Sequence, residues 1–285
     1  MPFSIFLQGS SFADVCPSSF SAHLYPLPFH GASQLAVVRK DGSPGAGQYP
    51  SSVVNVDTTH VQGLKRAKDL GLVESEIADL IVVRDLFEAN EIFDPTHRGR
   101  VFSVFRHPVD CALSTYINLI YNQPGMANMT IEEFAVSDQV EYNPMVRYFS
   151  NRPEGDLTNE DLQHAMDNVH GRILVGLISK REETMERFEK FFGWKYRVDP
   201  VSQEQCRSDY IFDKPRPPPP NWPKVSRPQP GTPAYDMLLR SVKYDVHLYE
   251  FVESLFDAQS RLVADRPDGY RMEDATCCKC ENNCP

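Results

Sequence analysis

Short apolar runs constrain this chain more than any other feature. Leu80-Ile81-Val82-Val83 and Val101-Phe102-Ser103-Val104-Phe105 are too short for helices and too continuously apolar for half-exposed strands. They read as strands covered on both faces, as parallel strands usually are. Arg172–Leu177 reads as a further strand. Between and around these runs lie stripes of helical period. Val61, Leu64, Ala67 and Leu70 share one face, and Gly71 follows as a stop. Pro108 opens a helix to about Asn122, and Thr130 caps another over Ile131–Val136. Thr158, with Asp161 three residues on, starts a helix whose stripe is Leu162, Ala165, Met166 and Val169. Ser179 and Glu182 read as a capping box for a helix carrying Met185, Phe188 and Phe192, closed by Gly193. Strands alternating with helices predict an α/β fold, a parallel sheet flanked by helices, with ligands beyond the carboxyl ends of the strands.

The rest of the chain divides around that core. Residues 1–50 are rich in Ser, Pro and Gly and read as poorly ordered, apart from a short strand at Leu35–Val38. Order is expected from the β-branched run Val53–Val56 onward. Residues 51–262 form the expected domain. Nine of the 23 prolines fall between Pro215 and Pro233, so 213–233 reads as a semi-rigid connector or as a ligand for a proline-binding partner. Thr232 and Pro233 then start a last helix striped by Leu238, Val242, Tyr249, Val252 and Phe256. Residues 263–285 are a tail in which Cys277, Cys278, Cys280 and Cys284 crowd together. Disulfides, a zinc site and an unstructured tail are all open for it.

Charge and hydropathy exclude some classes of function. The formal net charge of −10 argues against general binding to nucleic acid or anionic membranes, while leaving room for a small anion held by local arginines. No run of 18 apolar residues is present, so no membrane span is read; a membrane association would need an anchor outside this sequence. Met1–Phe20 lacks a basic stretch followed by an apolar one, which reads as a cytoplasmic start if it is the genuine one. The sequon Asn128-Met129-Thr130 points the other way, toward the secretory pathway. His23, His30 and His60 have no metal-ligand spacing, and no metal is expected.

The residues that carry chemistry begin where the strand Val101–Phe105 ends. Phe105-Arg106-His107-Pro108 places an arginine at a strand end and a helix start directly after it, with Ser114 two turns in. A guanidinium fork matches phosphate oxygens, free N–H groups of a new helix favour the same anion, and a serine hydroxyl adds a neutral hydrogen bond. Together they would clamp a terminal phosphate. The alternative is that Arg106 caps the helix or pairs with a carboxylate such as Asp110.

Arg106, seven intervening residues and Ser114 resemble the 3′-phosphate-binding motif of sulfotransferases. Asn143-Pro144-Met145-Val146-Arg147 resembles a segment of carbohydrate O-sulfotransferases of the heparan 6-O type. Leu174–Leu177 with Arg181–Phe188, and Lys243–Glu250, are similar to that family's late strand and helices, so the resemblance runs from about Asn55 to Phe256. It implies a P-loop NTPase-like sulfotransferase fold and 3′-phosphoadenosine 5′-phosphosulfate as co-substrate. It implies a sugar or glycan acceptor and the Golgi lumen as the place of work. By the same resemblance Arg106, Ser114 and Arg147 are cofactor-binding candidates.

The sequence also departs from the family. The glycine-rich strand–loop–helix that cradles the 5′-phosphosulfate is not found, so the sheet is expected to lack its first strand and loop. Gly9-Ser10-Ser11 and Lys40-Asp41-Gly42-Ser43 are the nearest matches. The family's histidine past the strand matching Leu80–Val83 is replaced by Arg84-Asp85-Leu86-Phe87-Glu88. Glu88 or Asp85 is the candidate base there, or simply an acidic first helical turn. His97, Arg98 and Arg100 form a basic patch that would meet an anionic acceptor, or a solvated loop. The expected function is sulfuryl transfer to a hydroxyl; the alternative is a non-catalytic sulfotransferase-like binding or scaffold protein. A nucleotide kinase is disfavoured, because no Gly-x-x-x-x-Gly-Lys-Ser/Thr sequence occurs.

Overall fold

The computed structural model describes residues 3–7, 34–35, 37–39, 52–78, 80–192 and 225–264. Its centre is a four-stranded parallel sheet. Strands β1 (Phe3–Leu7), β4 (Leu80–Val83), β5 (Gly99–Phe105) and β6 (Ile173–Leu177) lie in the order β4-β1-β5-β6. β1 is therefore interior: Ile5 is in register with Ile81 on one side and Val101 on the other. The expectation of a missing first strand is corrected here, and with it the expectation that order begins at Val53. The signal was weak because Phe3–Leu7 is short and is followed by no helical stripe.

The run around Val53 has a different role from the other apolar runs. β2 (Val37–Arg39) and β3 (Ser52–Val54) pair antiparallel in a separate two-stranded sheet. Helix α1 (Val61–Asp69) follows, and Gly71 at φ 66° closes it: Gly71 N–H donates to Lys68 O and Leu72 N–H to Ala67 O. This is a Schellman stop, which demands a left-handed residue that glycine supplies without strain.

Alternation along the strands sorts the core into two layers. Ile81, Val83, Phe105, Ile173, Val175 and Leu177 face one side, with Leu64 of α1, Leu86 of α2 (Leu86–Asn90), Val146 of α5 (Pro144–Ser150) and Val169 of α6 (Asn159–Arg172). Phe102, Val104 and Leu174 face the other, against Met185, Phe188 and Phe192 of α7 (Arg181–Phe192). A period of two within each strand produces this division directly. Both faces are covered, which explains why the runs are continuously apolar. A third cluster lies apart, where α3 (Pro108–Asn122) packs through Leu113 and Tyr116 on Phe134 of α4 (Ile131–Ala135) and Leu238 of α8 (Pro233–Ser241).

Capping chemistry fixes most helix starts where the sequence places them. Thr130 with Glu133, and Thr158 with Asp161, make reciprocal capping boxes. Ser179 does not fill its expected role. It lies inside a single 3-10 turn, Ile178–Lys180, so it is not a helix-preceding residue. Thr184 secures that corner instead, accepting from Leu177 N–H at 2.9 Å and donating to Leu177 O at 3.1 Å. The expected single last helix is two, because the chain leaves helical geometry at Val242 (φ −120°, ψ 26°) between α8 and α9 (Lys243–Gln259). α9 closes the free edge of the sheet. Gln259 donates to Ile173 O at 2.8 Å and accepts from Val175 N–H at 2.9 Å, standing in for a fifth strand. Arg261–Ala264 add a last short turn of helix, α10.

Gly193, the unbroken proline run and the cysteine tail lie outside the described residues, as do Gly9-Ser10-Ser11 and Lys40–Ser43. Among the described residues, no helix is long and apolar enough to cross a membrane.

Candidate anion site at the carboxyl edge of the sheet

The four parallel strands end on one edge, at Leu7, Val83, Phe105 and Leu177. The chain passes from β1 to β4 on one side, then crosses to β5 on the other. In open α/β sheets such a reversal is where the ligand crevice usually lies, here beyond the carboxyl ends of β1 and β5. Arg106 is the first residue beyond β5 and is half-buried; Arg84 is the first beyond β4 and is exposed. Two guanidinium groups thus stand on the edge that the fold reserves for ligands. β1 leads directly to Gln8-Gly9-Ser10-Ser11 in sequence.

The start of α3 differs from its expected form. Pro108 has no N–H, and the next N–H groups are already engaged. Val109 N–H donates to His107 Nδ1 at 3.3 Å, and Asp110 and Cys111 N–H donate to His107 O at 2.9 and 3.1 Å. His107 is an N-cap, so the expected row of free N–H donors is corrected: anion binding here falls to side chains. An Nδ1 that accepts leaves the ring proton on Nε2 of the neutral imidazole. Burial favours that neutral form, pulling the His107 pKa below its usual value against the opposing pull of Asp110. The ring meets Tyr249 edge-on, centroids 5.4 Å apart, and Tyr249 Oη lies 3.5 Å from Ser179 Oγ. Burial pushes the Tyr249 phenol up. Sequence alone did not single out His107, Arg227 or Tyr249; only a histidine preceding proline at a helix start hinted at the first.

The Asp110 carboxylate pairs with Arg227 Nε at 2.7 Å, which ties the 225–229 segment to the first turn of α3. Ser114 is half-buried on the second turn of α3, on the same helix that Arg106 introduces.

The remaining candidates are placed elsewhere. Arg147 is committed to backbone: Nε donates to Tyr142 O at 2.9 Å, Nη1 to Arg152 O at 3.3 Å and Nη2 to Gly155 O at 2.9 Å. It staples the loop after α5. Asp85 is the N-cap of α2, accepting from Phe87 and Glu88 N–H at 3.2 and 3.1 Å, so Glu88 is a first-turn acid of that helix. The basic patch lies before and at the start of β5, the opposite edge of the sheet. His97 Nδ1 is 3.0 Å from Asp94, Arg98 Nε donates to Pro95 O, and Arg100 covers the Phe191 ring at 5.5 Å. It does not meet the crevice. Among the described residues, no group of three His, Cys, Asp or Glu is placed to hold a metal ion.

Comparison with protein-family models, with curated proteins and with solved structures finds no match.

Proposed function

We propose that the chain is a sulfotransferase of P-loop NTPase-like fold, moving a sulfuryl group from 3′-phosphoadenosine 5′-phosphosulfate to a carbohydrate hydroxyl in the Golgi lumen. One observation carries this reading: Arg106 leaves β5 at the switch point beside the interior strand β1, and α3 with Ser114 opens directly after it. Arg106 and Ser114 would hold the 3′-phosphate, with the Arg106 fork supplying the charge-assisted bonds. In the reaction the acceptor oxygen forms a bond to sulfur, the sulfur–oxygen bond to the 5′-phosphate breaks, and the hydroxyl proton passes to a base. The leaving group is 3′-phosphoadenosine 5′-phosphate, whose charge needs cations nearby; Arg84 is a second cation on this edge.

A second reading, a non-catalytic relative that binds the nucleotide or a partner, is favoured by the commitments of Asp85 and Arg147 to helix and loop. One experiment bears on both. Thermal unfolding is followed with and without 3′-phosphoadenosine 5′-phosphate. A ligand of the native state at a hundredfold excess over its dissociation constant adds about 2.7 kcal/mol of stability. A rise in melting temperature that Arg106→Ala abolishes supports the clamp, and sulfate transfer to glycans by the same sample then separates enzyme from binder. No rise in a cooperatively folded sample sinks the donor assignment.

A further inference from the structure

We propose that Asn128 is an N-glycosylation site, carrying an oligosaccharide on the end of the molecule away from the carboxyl edge. Three observations meet here, and none depends on the proposed sulfuryl chemistry.

The first is the sequon. Asn128-Met129-Thr130 is the one Asn-x-Ser/Thr sequence without an intervening proline in the chain. The second is its place. Asn128 is exposed in the turn between a 3-10 segment, Pro124–Met126, and α4. The residues around it are fixed while it is not covered. Met129 packs on the α3–α4–α8 cluster and its carbonyl accepts from Tyr116 Oη at 2.8 Å, and Thr130 is held in the α4 capping box. A rigid turn with its asparagine in solvent accommodates a glycan without disturbing the fold. α3 begins near Arg106 and runs 15 residues to Asn122, roughly 20 Å at 1.5 Å per residue. A glycan beyond its far end leaves the carboxyl-edge crevice open.

The third observation bears on the compartment. Cys111, buried in the first turns of α3, is disulfide-bonded. Disulfides form in oxidising compartments, of which the endoplasmic reticulum lumen is the one where asparagine is glycosylated. A covalent bond on α3 and a sequon just past α3 thus point to the same lumen.

The modification is balanced by a polyisoprenyl diphosphate-linked oligosaccharide as donor. A bond forms between the Asn128 amide nitrogen and the sugar anomeric carbon. The bond from that carbon to the diphosphate oxygen breaks, the diphosphate leaves, and one amide proton is lost to a base of the transferase. The sequon is read in the extended chain, before Thr130 becomes a cap.

The test uses the full chain purified from the cells that make it. After peptide-N-glycosidase F treatment, the peptide spanning Asn128 is mapped by mass spectrometry, alongside the alkylation state of Cys111. The expected result is an Asn128 recovered as aspartate only after glycosidase treatment, with Cys111 protected from alkylation until reduction. Asn128→Gln, which leaves the Thr130 cap intact, loses the glycosidase-sensitive shift on a gel, while Thr130→Ser keeps it. An Asn128 peptide recovered unmodified overturns the proposal.

Discussion

Asp245 sits in an environment far from that of a free side chain. It is fully buried at the start of α9, yet its carboxylate accepts from Met145 and Val146 N–H at 3.0 and 2.8 Å. Asn143 answers in the other direction, its Oδ1 accepting from Tyr244 and Asp245 N–H at 2.8 and 3.3 Å. Each helix start is therefore capped by a side chain from the other. Burial pushes the Asp245 pKa up to about 7, although both backbone N–H groups and Arg147 oppose it; Glu141 adds to the rise. A raised carboxyl pKa means that the folded chain holds the proton more tightly than the unfolded one. The associated stability is present below about pH 4, the unfolded value, and is lost as pH rises toward 7. Asp245→Asn is expected to flatten that fall by about one proton, read from urea midpoints across this range. A variant with the same pH slope as the parent rules the assignment out. Arg147 and Arg106 should separate cleanly. Arg147→Ala loses three bonds to backbone carbonyls and should cost about 1–2 kcal/mol while retaining nucleotide binding. Arg106→Ala should show the reverse. At this scale the sequence offered both arginines equally, because residue type and spacing do not reveal which carbonyls are near.

The elements were legible where local chemistry decides them. The apolar runs at 80–83 and 101–105 are strands, and the bounds Pro108–Asn122 for α3 agree with its proline start. Misreadings occurred where packing overrides local preference. Ser179 with Glu182 satisfies the capping-box pattern, but the 3-10 turn after β6 takes up Ser179 before the helix begins. At that corner Gly176 faces Thr184 and Phe188 so closely that an added Cβ would overlap both. Gly176→Ala should therefore destabilise by about 1–3 kcal/mol through overpacking, measured by denaturant unfolding with nucleotide binding kept as a control. A neutral result would mean that α7 can move off β6. α7 itself is tied to α9 by Arg187, whose guanidinium covers the Phe256 ring at 3.5 Å, pairs with Glu183 at 3.0 Å and donates to Phe256 O. Nothing local to Arg187 identifies this role, since its partner on α9 lies 69 residues away.

For the whole molecule the central question is how the sheet is completed. β1 takes part in two of the sheet's three ladders, with β4 and with β5. Removing residues 1–7 would expose strand edges on both neighbours and leave their backbone groups without partners. The truncated chain is expected to lose cooperative thermal unfolding, followed by circular dichroism. A sharp transition close to that of the full chain would show that the sheet does not need its interior strand. This also explains what sequence alone determined. Short apolar runs, caps and turn residues act over a few positions, so strand and helix identities and the α/β class follow from the chain itself. The order of strands, the insertion of Phe3–Leu7 between β4 and β5, and the pairing of Asn143 with Asp245 depend on contacts between residues far apart in sequence. Only tertiary structure decides these, because the free energy of such a contact is set by which surfaces meet and by how much of them is removed from water.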